Sequence, residues 1–277
     1  MTLLALSRAG VGSLPVDEPA LHVDDEGFLR GRAVFETVHV YGGRPFRLPE
    51  HLERLARSAE LVGTAQPDRE GLSAAAEAAV SEAGVPDAVL RLLWTPGREG
   101  IGTPAGFALV STLPPNLDDL RARGVRLASV DWPDRRLGSA KTTSYAENLA
   151  AAHEAIDAGS DDALLVDRDG LVLETPTANV WWRRGSDLFT PALELPILAG
   201  VTGSVVWDLA AEHGYRPHEA AETLADVKGA EEMFLTASIR EVMPVTMLDG
   251  VAVGDGRPGD AARVLQVALR TIATQRP

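Results

Sequence analysis

Apolar side chains recur along the chain in two periods, and the changes between these periods predict an alternating order of helices and strands. From Pro49 to Val62 the apolar positions are spaced three or four residues apart, as on one face of a helix. A second helix is predicted from about Asp68 to Ala83, where Gly84 ends it. Further helices are expected at residues 144–158, at 202–213 and from about 258.

Short runs rich in Val, Phe, Thr and Leu lie between these helices and predict strands. The Gly42–Gly43 turn joins Ala33–Tyr41 to Pro45–Leu48 as a hairpin, and the Asp169–Gly170 turn joins 163–166 to 171–174 in the same way. The other predicted strands are 88–94, 106–112, 125–130, 179–183, 233–236 and 242–248.

The stretch Leu113–Asp118 contains Pro114, Pro115 and Asn116 and is the clearest linker in the sequence. Strands and helices alternate on both sides of it, which predicts a mixed α/β fold in two domains. We expect a small N-terminal α/β domain at residues 1–112, a linker at 113–118 and a larger C-terminal α/β domain at 119–277.

Composition restricts the classes of function. The 277 residues are 45% hydrophobic and 24% charged, as in globular proteins, and there is no cysteine, which excludes disulfides and thiolate chemistry. The net charge of −14 is spread along the chain and argues against a nucleic acid partner. No apolar run is long enough to span a membrane, and the apolar start Met1–Leu6 is short and lacks basic residues, so we expect a cytoplasmic protein.

Two residues stand out as candidates for chemistry. The chain has only two lysines, and Lys141 lies in Gly-Ser-Ala-Lys-Thr-Thr-Ser-Tyr, just before a predicted helix. Its amine could act as a nucleophile, which arginine cannot do, although its position alone also suits a solvated loop residue. Glu174 ends a predicted strand and could pair with a pyridine nitrogen or simply face water. Lys228 is interpreted as an ordinary surface lysine.

Two further features of the sequence could bind an anion. Residues 198–203 form a glycine-containing turn that leads into a helix, and backbone N–H groups at such a point can bind a phosphate. A simple helix cap at Thr202 is the alternative. Arg54 lies on a predicted helix whose other side is apolar, so an exposed guanidinium is the default interpretation.

Taken in order, these signals and their surroundings resemble the class IV aminotransferases, which are pyridoxal phosphate (PLP) enzymes of fold type IV. The resemblance extends from about Asp24 to Gly250 and rests on seven segments: 31–37 (Gly-Arg-Ala-Val-Phe-Glu-Thr), 51–59, 140–142 with Asn148, 169–180, 188–191, 197–202 and 238–245. It implies the two-domain fold of this family, whose larger domain has a mixed sheet or pseudo-barrel, and a homodimer.

The resemblance also implies roles for individual residues. Lys141 would be the Schiff-base lysine and, once substrate has displaced it, the base that moves the Cα proton. Glu174 would pair with the pyridine nitrogen. The residues implied around the cofactor phosphate are Arg54, Val201, Thr202 and Ser238.

The reaction is the least determined feature. Branched-chain enzymes usually have a tyrosine where Ala146 stands and another where Arg30 stands, and D-amino acid transaminases usually have Arg-Gly where Pro96–Gly97 stands. Residues 141–148 and 90–100 look most similar to 4-amino-4-deoxychorismate lyase, which releases pyruvate and 4-aminobenzoate for folate synthesis. The alternatives are a class IV transaminase of branched-chain amino acids, D-amino acids or amines, and a non-catalytic scaffold.

The substrate is therefore expected to be a small amino compound that carries carboxylates. The arginines that could bind them are Arg30, Arg32, Arg91, Arg98 and Arg240, each of which could instead be solvated or salt-bridged. No spacing of histidines and carboxylates suggests a metal site, and no Gly-x-Ser-x-Gly segment suggests a hydrolase.

Overall fold

The computed structural model describes residues 1–132 and 137–275, which form two compact units. Unit 1 contains Met1–Pro114 and the separate segment Ala140–Tyr145. Unit 2 contains Pro115–Ser139 and Ala146–Pro277.

Unit 1 is built on one antiparallel sheet. Its described strands are β1 (Leu3–Arg8), β2 (Gly12–Leu14), β3 (Val34–Tyr41), β4 (Arg44–Pro45), β5 (Ala88–Thr95) and β6 (Ala105–Ser111), in the order β2-β1-β6-β5-β3-β4. Its helices are α1 (Glu26–Leu29), α2 (Leu48–Leu61) and α3 (Arg69–Ala83).

The core of unit 1 lies between one face of this sheet and the two longer helices. The sheet contributes Val34, Val38, Leu90 and Leu92, and the helices contribute residues such as Leu55 and Leu72, all fully buried. Burial of one such leucine contributes about 1.5–3 kcal/mol. This packing makes β3 and α2 rigid neighbours.

Unit 2 contains a larger, mixed sheet. Its described strands are β7 (Val125–Asp131), β8 (Asp162–Val166), β9 (Asn179–Arg184), β10 (Asp187–Pro191), β11 (Arg216–Ala220), β12 (Glu232–Ala237), β13 (Glu241–Leu248) and β14 (Val251–Ala252). The order is β11-β10-β9-β12-β13-β7-β8, with β14 on β13; the pairs β10–β11, β13–β7 and β7–β8 are parallel. Its helices are α4 (Leu117–Arg123), α5 (Ala146–Asp157), α6 (Val201–Glu212), α7 (Leu224–Val227) and α8 (Asp260–Thr274).

The mixed α/β class is confirmed, and most predicted elements are present within two residues of their predicted bounds. In α3 the signals act as expected, because the Asp68 side chain accepts a hydrogen bond from Gly71 N and Gly84 takes the left-handed conformation (φ 63°). The elements that the sequence interpretation missed are β1, β2, β10, β11, β14, α1, α4 and α7.

Three features of the structure differ from the elements and bounds predicted from the sequence. Residues 171–174 make isolated bridges, including Val166–Val172 and Glu174–Asn179, and do not form a continuous strand. Helix α4 begins at Leu117, inside the predicted linker, because Leu117 is buried and can pack as a helical residue. The segment Ala140–Tyr145 is part of unit 1. The predicted domains, 1–112 and 119–277, would place it in the C-terminal domain, and those bounds stay a prediction.

No helix among residues 1–132 and 137–275 is long and apolar enough to cross a membrane.

Candidate functional site

The segment that carries Lys141 is bound to the start of β3 by its main chain. Phe35 N donates to Lys141 O (3.0 Å), and Thr143 N donates to Ala33 O (2.9 Å). Between these bonds, Val34 and Thr142 form an antiparallel bridge. The segment therefore extends the edge of the β3 strand, whose position the unit 1 core fixes.

The surroundings of Lys141 come from two elements of unit 1. Its backbone N donates to Ser58 Oγ on α2 (3.1 Å), and Ser58 is 1% exposed. Its Nζ lies 4.7 Å from the centre of the Phe35 ring, against which Tyr145 packs edge-on. Because Lys141 is held at both its N–H and its C=O, its amine starts from a fixed backbone position.

A second contact explains the glycine that precedes β3. Ser144 Oγ donates to Gly31 O (3.1 Å), and Gly31 has a φ of 63°. A Cβ at Gly31 would lie 2.2 Å from Ser144 Oγ, so no larger residue fits there without displacement. The turn at Gly31 and the segment that follows Lys141 therefore depend on each other.

Arg54 lies on the buried face of α2 and not at the surface. Its Nε and Nη2 donate to the two carboxylate oxygens of Glu36 at 2.8 and 2.7 Å, and His51 Nδ1 lies 2.7 Å from Glu36 Oε2. Burial by itself raises the pKa of Glu36, but the charge and hydrogen bonds of Arg54 and the bond from His51 outweigh burial and lower this pKa to about 2.

Glu174, in unit 2, is oriented by two N–H donors. Asn179 Nδ2 donates to Glu174 Oε2 (3.1 Å) and also to Leu198 O (2.8 Å), while Leu198 N donates to Glu174 Oε2 (3.3 Å). The amide of Asn179 thus joins Glu174 to the turn that precedes α6.

That turn leads into the N-terminus of α6, whose first two residues are Val201 and Thr202. Its N-cap is Gly200, and no side chain of the described residues caps this helix. A Cβ at Gly200 would lie 1.9 Å from Asn179 Oδ1, so the chain passes directly over the Asn179 amide. Backbone N–H groups in such a first helical turn suit an anion.

Ser238 lies in the turn between β12 and β13. Arg121, on α4, donates to Ile239 O (3.1 Å) and Arg240 O (3.3 Å) in the same turn. The turn ends at Glu241, which has a φ of 58° and whose buried carboxylate pairs with Arg121 at 2.9 Å. A non-glycine residue with positive φ requires support from its neighbours, and Arg121 supplies part of it.

Four of the five arginines considered for substrate carboxylates form ion pairs within the chain. The pairs are Arg30–Glu99, Arg32–Glu26, Arg98–Asp24 (2.8 Å) and Arg240–Asp162 (2.6 Å). Within residues 1–132 and 137–275, Arg91 pairs with no carboxylate; its Nη2 lies 3.9 Å from the Met1 sulfur.

Three residues with clear structural roles were not assigned any by sequence reasoning: Ser58, Glu36 and Asn179. All three stand inside the seven segments that carried the resemblance. Their signal was therefore present, but nothing in the sequence relates Ser58 to Lys141 or Glu36 to Arg54 across 83 and 18 residues, respectively.

Each unit by itself contains groups of a kind that PLP needs. Unit 1 supplies an amine at Lys141 and a guanidinium at Arg54. Unit 2 supplies a carboxylate at Glu174 and uncapped N–H groups at Val201 and Thr202. An amine for the aldehyde, an anion for the ring nitrogen and donors for a phosphate fit this cofactor. No cluster of three or more metal-binding side chains occurs in the part of the chain that the structure describes.

Comparison with known proteins shows similarity to one family along most of the chain. The family model described as amino-transferase class IV matches residues 33–248. A curated relative from Mycobacterium tuberculosis, described as a bifunctional aminodeoxychorismate lyase / D-amino acid transaminase, is 33% identical over 84% of this chain and 87% of its own length.

Solved structures show the same fold over nearly the whole chain. A fold IV-transaminase, CpuTA1, from Curtobacterium pusillum has a TM-score of 0.89 and 31% identity, covering 97% of this chain and 96% of that one. A hypothetical aminotransferase from Mycobacterium tuberculosis, in a form with alpha-ketoglutarate and PMP bound, has a TM-score of 0.92 and 30% identity, covering 98% and 99%. This chain therefore belongs to the class IV aminotransferases, the PLP-dependent transaminases and lyases of fold type IV.

Proposed function

We propose that this protein is a PLP-dependent 4-amino-4-deoxychorismate lyase, which releases pyruvate and 4-aminobenzoate for folate synthesis. The observation that carries an enzymatic role is the double main-chain anchor of Lys141, which holds its amine beside Phe35. The lyase reaction is supported by residues 90–100 and 141–148 and by the lyase activity in the description of the Mycobacterium tuberculosis relative.

Lys141 would hold the cofactor covalently through Nζ and later move the proton at the carbon that bears the substrate amine. When bound, PLP withdraws electrons from that carbon. The Ser58 and Phe35 hydrogen bonds fix the Lys141 backbone, so the amine would return to the same position after each proton transfer.

Glu174 would accept a hydrogen bond from the protonated ring nitrogen, in an orientation set by Asn179 and Leu198 N. The phosphate ligands we propose are Arg54, the N–H groups of Val201 and Thr202, and Ser238. The uncapped start of α6 and the buried guanidinium of Arg54 support this assignment, because both suit a dianion.

For a substrate carboxylate we propose Arg91 ahead of Arg30, Arg32, Arg98 and Arg240. Those four would have to leave an ion pair first. Arg91 stands opposite Thr37, and Leu93 stands opposite Phe35, in the β3–β5 ladder. Directly opposed residues share a face and side chains alternate, so Arg91 lies on the same sheet face as Phe35, the ring beside the Lys141 amine.

The second candidate function is transamination of D-amino acids, branched-chain amino acids or amines. It is favoured by the same Mycobacterium tuberculosis relative, whose description includes D-amino acid transaminase. The related structure with alpha-ketoglutarate and PMP also supports an acceptor-dependent reaction. A non-catalytic scaffold is the third candidate, and the intact set of Lys141, Glu174 and Arg54 argues against it.

The two reactions differ in whether they need a keto acid. Purified protein loaded with PLP is incubated with 4-amino-4-deoxychorismate alone, and separately with D- or branched-chain amino acids plus 2-oxoglutarate. We expect 4-aminobenzoate and pyruvate in the first mixture without any acceptor. Acceptor-dependent amine transfer with no aromatic product would replace the lyase proposal by the transaminase.

Lys141→Ala tests the enzymatic role itself. We expect loss of the protein-bound PLP absorbance band and a fall in turnover of at least about 10³-fold. The matched control is Lys228→Ala, which removes the other lysine, a partner of Asp249 in a surface ion pair. A band that survives in Lys141→Ala would remove the assignment of this residue.

We also propose a homodimer that acts in the cytoplasm, as the resemblance to the family implies. Light scattering on the purified holoenzyme tests the assembly, and a mass of one chain at all concentrations would contradict it.

A further inference from the structure

The side of β3 that faces α2 carries one charged residue in an apolar row. Val34, Val38 and Val40 point into the unit 1 core and are fully buried. Glu36 belongs to the same row, because side chains alternate along a strand, and it is also fully buried. The core of unit 1 therefore contains a carboxylate where a valine or leucine would be expected.

This carboxylate is surrounded by partners on α2. Arg54 uses two nitrogens of one edge of its guanidinium on Glu36, and His51 approaches the same carboxylate. Arg54 is 6% exposed and His51 2%. The spacing of three between these two residues places them on one face of the helix, the face that Ser58 continues toward Lys141 N.

Stability alone does not account for this group. Burying an ion pair costs several kcal/mol per charge in lost hydration, and well-packed apolar residues of similar volume are often as stabilising or more so. What the pair provides is direction: a bidentate carboxylate fixes both the plane and the rotation of the guanidinium. Because Nε and Nη2 of Arg54 bond to Glu36, the direction in which the other guanidinium nitrogen points is also fixed.

We propose that Glu36 is a positioning residue for the cofactor phosphate, which acts by fixing the guanidinium of Arg54. This inference rests on the proposed function, in which Arg54 binds that phosphate. Glu36 itself is not expected to touch the cofactor, because Arg54 bonds both of its carboxylate oxygens and His51 shares Oε2.

The first test is the affinity of the apoprotein for PLP, measured by fluorescence titration. For Glu36→Gln we expect about 10- to 100-fold weaker binding, the range found when the partner that orients a metal-binding side chain is removed. The matched control is Glu232→Gln, which removes a buried carboxylate paired with Arg183 at 3.0 Å in unit 2 and should leave PLP affinity unchanged. If Glu36→Gln folds poorly, Glu36→Asp keeps the charge with a shorter reach and should also weaken PLP binding.

The second test is a double-mutant cycle with Arg54→Gln. Because Glu36 acts through Arg54, Glu36→Gln should weaken PLP binding little or not at all in the Arg54→Gln background. The ³¹P resonance of bound PLP should also move toward that of free PLP in Glu36→Gln, a change that a purely structural loss elsewhere in the core would not produce.

The outcomes separate this inference from the function on which it rests. Wild-type PLP affinity in Glu36→Gln, or an equal loss with and without Arg54, would overturn the role of Glu36 alone. Unchanged PLP affinity in Arg54→Gln would overturn the assignment of Arg54 as a phosphate ligand, and the role of Glu36 with it.

Discussion

The two units fix their functional groups in different ways. Unit 1 holds Lys141 by main-chain pairing with β3 and by the Ser58 hydroxyl. Unit 2 also holds the Glu174 backbone by main-chain bonds, such as that from Leu165 N to Glu174 O (2.9 Å), but it ties the Glu174 carboxylate to the turn before α6 through one side chain, that of Asn179. Redundant main-chain contacts tolerate the loss of one partner, whereas a single bridging amide does not.

In the proposed function, the difference follows from what each group would do. A lysine that moves a proton must leave and regain its position, so its backbone is fixed while its long side chain can still rotate. A carboxylate that pairs with a ring nitrogen needs only one orientation, and two donors on one oxygen suffice for that.

The largest effect is expected from acid, which attacks the charge network of unit 1. The pKa of Glu36 is lowered from 4.5 to about 2, so its contribution to folding is complete above about pH 4.5 and is lost as the pH falls toward 2. The displacement corresponds to about 3 kcal/mol of unfolding free energy. Urea unfolding between pH 7 and about 2 should show this loss in the wild type and a smaller one in Glu36→Gln; parallel curves would contradict it.

The next largest effect should come from unit 2 through Asn179→Ala. This change removes the donor shared by Glu174 and Leu198 O, so both the carboxylate and the turn before α6 lose their orientation. We expect turnover to fall about 100-fold, the cost of a displacement of about 1 Å in a reacting group. Steady-state kinetics on the PLP-loaded variant measures it, with Asn116→Ala as the control, since Asn116 is an exposed asparagine of unit 2. A loss below about threefold would mean that unit 2 has redundant support.

The smallest effect is expected for Ser58→Ala in unit 1. The Lys141 N–H loses its acceptor, which costs about 1–3 kcal/mol if it stays buried, but the bond from Phe35 N and the Thr143–Ala33 bond remain. Turnover should fall about tenfold while KM stays near its wild-type value. Ser144→Ala, which loses a bond to Gly31 O at the surface, is the matched comparison and should change turnover less. A loss larger than that of Asn179→Ala would reverse the contrast between the two units.

Several features could be predicted because their causes are local. A helical spacing of apolar residues, with end signals such as Asp68 and Gly84, predicts a helix from a few neighbouring residues. The core elements and the mixed α/β class could therefore be predicted from the sequence. Helices α1 and α7 were missed although Asp25 and Thr223 cap them, because four residues are too few to show a helical period. Other missed elements lack such signals. Strand β11, for example, is the polar sequence Arg-Pro-His-Glu-Ala at the edge of its sheet, where no alternating apolar pattern is required.

The sequence by itself determined the family, through seven short segments in a fixed order, and with it the candidates Lys141 and Glu174. Only the tertiary structure decided that residues 141–143 pair with the start of β3, that Glu36 pairs with Arg54, and that four candidate arginines already have carboxylate partners. The physical reason is distance along the chain. Helical and strand periods act over a few residues, whereas an ion pair such as Arg98–Asp24 joins groups 74 residues apart and exists only after the core has brought its strands together.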